Sequence, residues 1–397
     1  MKRMAAILAL LLAAAASARA DSLTLSVYQN STNNLFQTIY PAKDQITSLA
    51  FSFSKNLKPF SFFTEGGYSH LYENTRVSYY AQDAGLDYVQ PLGGKTALYL
   101  AVKGGGTLYR SDFSDLNHIS LGGIAALKSY IAGSSILKLN YTFDFRNYYW
   151  TLFDYLSHQV YLSLDKYFAT RTTLRAEGNW GYKRFFHPYP PAPIEATTDE
   201  AVTTYQYPGG RGYGGGWGGG GGSDGGTIVP EATGPPVGIQ IASVSGLIAQ
   251  GIGDYVGLQV SGLRQWTLSG QNPFGSVDEF YLVENPTYDV FSWNGHGLTG
   301  QITFNAPWNM ELKIGYTLLI KEFPGIEAMD LDGISLGALR LDRRNQWDAR
   351  LEKNFSRVTL FVSYSRIENH SNDLLFQWNG DFLSAGFEWN LPWGREQ

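Results

Sequence analysis

Six histidines are the first residues to test for chemistry: His70, His118, His158, His187, His296 and His370. Asp115 precedes His118, Asp154 precedes His158 and Asp373 follows His370, each three or four residues away. At such spacings a carboxylate and an imidazole can exchange a proton. No serine completes a nucleophile, base and orienting acid, and the metalloprotease pattern H-E-x-x-H is absent. The chain has no Cys, which excludes disulfides, thiolate metal sites and C-x-x-C-H haem attachment. No catalytic residue, metal or cofactor is therefore assigned, and the pairs are read as solvated residues of loops and strand ends.

A second set of polar residues is more systematic. Lys138, Asp144, Arg146, Arg175, Glu177, Lys313, Asp348, Arg350 and Glu352 all sit at alternating positions between apolar neighbours. Glu65, Asp83, Asp87, Lys103, Lys128, Asp165, Lys183, Glu311 and Glu388 share the habit. Successive side chains of a strand point to opposite faces, so this spacing collects charge on one face. Two outcomes are expected. The charges line water and set a transverse field that selects small polar solutes. Alternatively, Glu311 and Lys313 pair with Asp348, Arg350 and Glu352 as a cross-strand ion ladder. Because both signs are represented, weak ion selectivity is expected.

The elements that would carry these charges are strands. In Leu137 to Arg146, apolar Leu137, Leu139, Tyr141, Phe143 and Phe145 alternate with Lys138, Asn140, Thr142, Asp144 and Arg146. Comparable segments are expected at 23–28, 48–53, 60–72, 77–90, 98–103, 119–130, 137–146 and 159–165. They continue at 174–183, 239–250, 256–266, 298–304, 310–321, 346–352, 358–364 and 383–391. That makes about sixteen strands, with fourteen possible if weak ones fail. Tight turns are expected at 56–59, 91–94, 132–135, 168–171, 251–254, 305–309 and 354–357. Longer connections are expected at 31–44, 187–236, 268–292, 322–343 and 369–381. The 16 prolines all fall in these turns, loops or the tail, as they must if they are kept out of strand interiors. Adjacent aromatics near strand ends (Tyr79 and Tyr80; Tyr148, Tyr149 and Trp150; Tyr167 and Phe168; Phe185 and Phe186), with Trp266, Trp308 and Trp389, are read as membrane-interface girdles.

The N-terminus carries Lys2 and Arg3, an apolar run from Ala5 to Ala16, and Ala18-Arg19-Ala20. That is the pattern of a secretory signal peptide over 1–20, leaving 21–397 as the mature barrel. Loss of Lys2, Arg3 and Arg19 takes the bases from 30 to 27 against 35 acids, a net −8. An acidic chain without a basic cluster argues against nucleic acid. Residues 187–236 hold eight of the 16 prolines and the run Gly214 to Gly222 broken only by Trp217, and are read as a long surface loop without a packed core.

Near the C-terminus, Ser384-Ala-Gly-Phe-Glu-Trp-Asn-Leu391 resembles the assembly signal of Gram-negative outer-membrane β-barrel proteins, with Ser384, Gly386, Trp389 and Leu391 in its four defined positions. The resemblance implies delivery to the outer membrane by the barrel assembly machinery, with outer-membrane lipids around the wall. Together these features predict an all-β, transmembrane antiparallel up-and-down barrel with short periplasmic turns and long extracellular loops. The expected function is porin-like passive diffusion of small hydrophilic solutes. The competing expectation is a non-diffusive barrel serving as scaffold, export conduit or sheath for a partner.

Overall fold

A computed structural model describes residues 22–149, 153–187, 237–271 and 289–392. The signal segment 1–20 and nearly all of the Pro/Gly-rich segment 187–236 lie outside the described residues. Period-two alternation is realised in sixteen strands. The first eight are β1 (Ser22–Thr32), β2 (Asp44–Leu57), β3 (Phe60–Leu71), β4 (Tyr79–Pro91), β5 (Thr96–Tyr109), β6 (His118–Tyr130), β7 (Ser135–Tyr148) and β8 (Tyr155–Tyr167). The rest are β9 (Thr172–Phe185), β10 (Val237–Ile252), β11 (Val256–Ser269), β12 (Asn294–Ala306), β13 (Met310–Met329), β14 (Ser335–Asn354), β15 (Val358–Ser371) and β16 (Trp378–Pro392). Every strand pairs antiparallel with its sequence neighbours, and β1 pairs with β16 to close the barrel. Closure leaves no edge whose amides would need water, the condition for a sheet to cross a bilayer.

All seven expected tight turns are present, and they share the barrel end at which Ser22 pairs with Pro392. The outer face at mid-strand is aliphatic: Leu100, Val102, Leu121, Leu139, Leu162, Val260, Leu298 and Leu360 are all exposed. A band of this kind around a closed ring is stable only against acyl chains.

Three expectations need correction. The connection expected at 322–343 is largely strand, because β13 continues to Met329 and β14 begins at Ser335. The continuation is held by burial of Phe323, Ile326 and Ala328 against the interior. Pro324 consequently lies inside a strand rather than a loop, at an irregularity where the register slips between Glu322 and Glu327 and Gly325 takes φ +77°. That is the bulge context in which a missing ladder donor is tolerated. The connection expected at 369–381 shrinks to 372–377 around a short 3₁₀ turn at Leu374–Phe376.

Alternation also divides the aromatic pairs. Tyr80 is exposed on the outer wall, whereas Tyr148 and Phe185 are buried in the interior. They form a cluster with Leu116, Phe153, Tyr155, Ile239, Ile241 and Phe291 at the end opposite the tight turns. Of Tyr148 with Tyr149, and of Phe185 with Phe186, the first ring fills the mouth, whereas Tyr167 and Phe168 at the tight-turn end are both exposed.

Candidate functional site

Register settles which side each charge faces. Lys128 lies opposite Lys138, Gly122 opposite Asp144, and Ser120 opposite Arg146. Asp165 lies opposite Arg175, and Ser163 opposite Glu177. Carrying the parity around the ring puts all eighteen sequence-selected charges on the face that also bears the buried mouth cluster, which is the lumenal one. They do not converge on one point. They form separate arcs, with Ser and Thr on β1 and β2 and Ser, Gln and Thr on β10 to β12 between them.

The first arc spans β3 to β5, where the Lys103 ammonium lies 2.8 Å from Asp83 and 3.8 Å from Glu65. The second spans β6 to β9. Asp165 has no exposed surface and accepts from Lys138 at 2.6 Å and Arg175 at 2.5 Å, so one carboxylate holds two cations. Higher up, Asp144 accepts from the Tyr155 hydroxyl at 2.6 Å and lies 3.4 Å from Arg146, whose guanidinium sits over the Tyr155 ring. The bases Lys128, Lys138, Arg146, Arg175 and Lys183 outnumber Asp144, Asp165 and Glu177 in this arc, while Glu65, Asp83 and Asp87 outnumber Lys103 in the first. The lumen is thus near neutral but laterally polarised.

The third arc corrects the expected ion ladder. Lys313 faces Arg350 and Glu311 faces Glu352, so the cross-strand partners are like-charged. Neutralisation runs along each strand instead, with Lys313 2.5 Å from Glu311 and Arg350 3.0 Å from Glu352. This register is that of β13 against β14, set by their connection at 330–334 and the slip between Glu322 and Glu327, which composition alone does not reveal. Asp348 accepts from Gln346 at 2.9 Å and Ser365 at 2.5 Å, and Arg350 stacks over Phe361 at 4.2 Å.

Sequence reasoning missed Arg340, Asp342, Arg344 and Lys321, which share this face. A signal was present, since Arg340, Asp342, Arg344, Gln346, Asp348, Arg350 and Glu352 form one polar row of constant parity. Arg340 is fully buried, paired to Asp342 at 2.6 Å and held between the rings of Phe323 (4.3 Å) and Phe376 (3.5 Å). Similarly, Lys183 meets Asp289 at 2.9 Å and packs on Tyr155 and Phe185. These contacts pin inward-turned segments into the mouth, so the passage is narrowed at that end by apolar rings.

The acid–histidine pairs do not assemble. Asp154 accepts from the Tyr148 amide at 2.6 Å and from Asn147 at 2.8 Å, while His158 meets the Tyr141 hydroxyl at 2.7 Å on the outer wall. Asp373 accepts from the Leu375 amide at 3.1 Å and His370 is exposed elsewhere. The Asp115 side chain is outside the described set. Burial pushes the Asp154 and Asp373 carboxyls above the ordinary carboxylate range. Each therefore holds its proton more firmly folded than unfolded, so its contribution falls as pH rises from about 4 through the raised value. Amide exchange at Tyr148 and Leu375, corrected for intrinsic rate and referenced to mid-strand amides, is expected to slow on acidification through that window. Replacing Asp373 with Asn should remove its share of the pH dependence.

With this geometry in view, the chain can be set beside known proteins. No family profile matches it, and no curated protein matches it in sequence. Solved structures do share its shape. The chain is similar in fold to Acinetobacter baumannii OccAB1, at 10% identity and TM-score 0.51 over 93% of this chain and 96% of that one. Pseudomonas aeruginosa OccK8 (OprE) aligns at 9% identity and TM-score 0.49, covering 94% and 97%. The outer membrane protein opdK of Pseudomonas aeruginosa aligns at 10% identity and TM-score 0.47, covering 93% and 98%. At such identities the likeness is one of architecture: a closed sixteen-stranded antiparallel barrel over nearly the whole length.

Proposed function

We propose that this chain is an outer-membrane channel for passive diffusion of small hydrophilic solutes. The carrying observation is a sixteen-stranded ring whose ionic face is open to water: Lys103 and Glu65 keep 46% and 54% of their side-chain surface exposed in the lumen. A barrel of about sixteen strands is too wide for its own side chains to fill, whereas about eight strands can be filled. Lys138, Asp144, Arg146, Arg175, Glu177, Lys313, Asp348, Arg350 and Glu352 are the residues this reading assigns to the pore wall. An acid–base or nucleophilic role has no assembled residues to rest on among those described.

The test is purified protein in planar bilayers. Ohmic steps of fixed size and weak ion selectivity are expected, and protein shown to be inserted but electrically silent would reject the channel. Asp165→Asn supplies an internal control. It leaves Lys138 and Arg175 without their shared counter-ion, so the reversal potential in a salt gradient is expected to move toward anion preference. An unchanged potential would mean that ions bypass this arc.

The apolar mouth cluster supports the second reading, a non-diffusive barrel serving as conduit, scaffold or sheath. A stoichiometric co-purifying partner, or conductance that appears only on deleting 209–226, would favour it. Insertion by the barrel assembly machinery through Ser384, Gly386, Trp389 and Leu391 belongs to either reading.

A further inference from the structure

One cross-strand row on the outer wall breaks the aliphatic pattern. Arg264 on β11 is paired with His296 on β12, His296 with Ile320 on β13, Ile320 with Arg343 on β14, and Arg343 with His370 on β15. Five adjacent strands thus present Arg, His, Ile, Arg and His in a single line facing away from the lumen. Both arginines and both histidines are exposed. The Arg264 guanidinium lies 3.2 Å from His296 Nδ1 and 5.7 Å from the Trp266 ring centroid.

What distinguishes this row is its missing anion. Arg366, an outward arginine on β15, is tied to Glu368 at 3.1 Å and Asp381 at 3.3 Å. Neither Arg264 nor Arg343 has a carboxylate within 4 Å among the described residues. Glu322 faces outward on β13 without reaching either of them. Below the row the wall is Val260, Leu298, Ile302, Ile314 and Trp347, all exposed to acyl chains on the bilayer reading. A fixed guanidinium at the upper margin of such a wall carries a charge that only headgroup chemistry at that depth can neutralise.

We propose that this row is a binding site for an anionic, phosphate-bearing lipid of the surrounding leaflet, one whose phosphate charge no headgroup cation cancels. Adjacent strands are about 4.8 Å apart, so each Arg–His couple spans one phosphate, and Arg264 and Arg343 stand about 14 Å apart. Each guanidinium offers a planar fork matched to phosphate oxygens. The free ring nitrogen of each histidine supplies a further donor, and Trp266 packs at the headgroup level above. The inference requires the barrel to sit in a bilayer and is independent of whether its lumen conducts.

Native mass spectrometry of the full chain, purified in detergent, tests it with phosphatidic acid, phosphatidylcholine and inorganic phosphate as separate probes. The wild type is expected to retain phosphatidic acid over phosphatidylcholine by roughly fivefold per arginine, more than tenfold for the pair. Arg264→Gln with Arg343→Gln should bring the ratio close to one, and Arg264→Lys with Arg343→Lys should keep most of it. Arg366→Gln should leave it within about twofold, because that charge is already neutralised. Circular dichroism of each variant verifies the barrel. A preference that survives the double Gln substitution overturns the proposal, as does one lost equally in Arg366→Gln. So does binding of inorganic phosphate without lipid preference, or a dimer that the double Gln substitution abolishes while lipid retention is unchanged.

Discussion

Arginine placed at both Leu139 and Leu162 is expected to abolish assembly, whereas arginine at Asn140 is expected to be tolerated. Leu139 and Leu162 face each other across β7 and β8 on the outer wall, 44% and 51% exposed, near mid-height of the apolar band. A charged side chain there costs about 2–4 kcal/mol at the bilayer midplane, so two exceed much of the margin by which a barrel is stable. Asn140 lies one residue away but points into the lumen opposite Tyr161, where a guanidinium stays in water. Refolding into lipid vesicles, followed by the heat-dependent shift in gel mobility, reads the outcome. If both variants refold equally well, the wall assigned to lipid is not facing lipid. If the lumenal variant alone fails, the two faces have been exchanged.

That contrast is possible because the facing of side chains is legible in the sequence itself. Period two is a local property, so Lys138 and Leu139 declare opposite faces without reference to a partner strand. The strand count and six of the seven tight turns follow from the same signal punctuated by Gly, Pro or Asn, while the turn at 168–171 is marked only by the gap between two alternating runs. What could not be read depends on non-local pairing. Alternation puts Glu311, Lys313, Arg350 and Glu352 on one face, yet their cross-strand partners are like-charged, because the register of β13 against β14 depends on the connection at 330–334 and the slip between Glu322 and Glu327. The mouth cluster was hidden for a related reason. Tyr148, Phe185 and Phe291 come from segments far apart in sequence, and an aromatic at a strand end looks the same whether it meets headgroups or other rings. β14 illustrates a different failure: its inward row continues unbroken from Glu352 to Arg340, but the apolar outer positions are interrupted above Trp347 by Asn345 and Arg343 before Leu341 and Leu339. The strand persists beyond the lipid band because the interior, rather than the bilayer, buries it.

The seam between β1 and β16 holds the second large effect. Gly386 is the one residue of the assembly-signal resemblance whose structural requirement is visible. It lies opposite Tyr28 on β1 and Phe361 on β15, and the two rings close over it with centroids 5.6 Å apart. A Cβ at this position would stand 2.5 Å from the Val27 carbonyl oxygen, 2.8 Å from the Tyr28 ring and 2.9 Å from the Phe361 ring. The rings can rotate away, but the backbone oxygen belongs to the ladder that closes the barrel. Gly386→Val is therefore expected to lose about 1–3 kcal/mol or more from overpacking, concentrated at the pairing that joins the chain's first and last strands. The defect should persist in machinery-free refolding and be only partly relieved by Tyr28→Ala with Phe361→Ala, since the carbonyl contact remains. Should Gly386→Val refold normally in vesicles yet fail to assemble in cells, the glycine would be needed by the insertion machinery and not by the packing of the seam. Failure in both settings places the requirement in the barrel itself, where a ring-covered glycine lets the closing strand approach its neighbours.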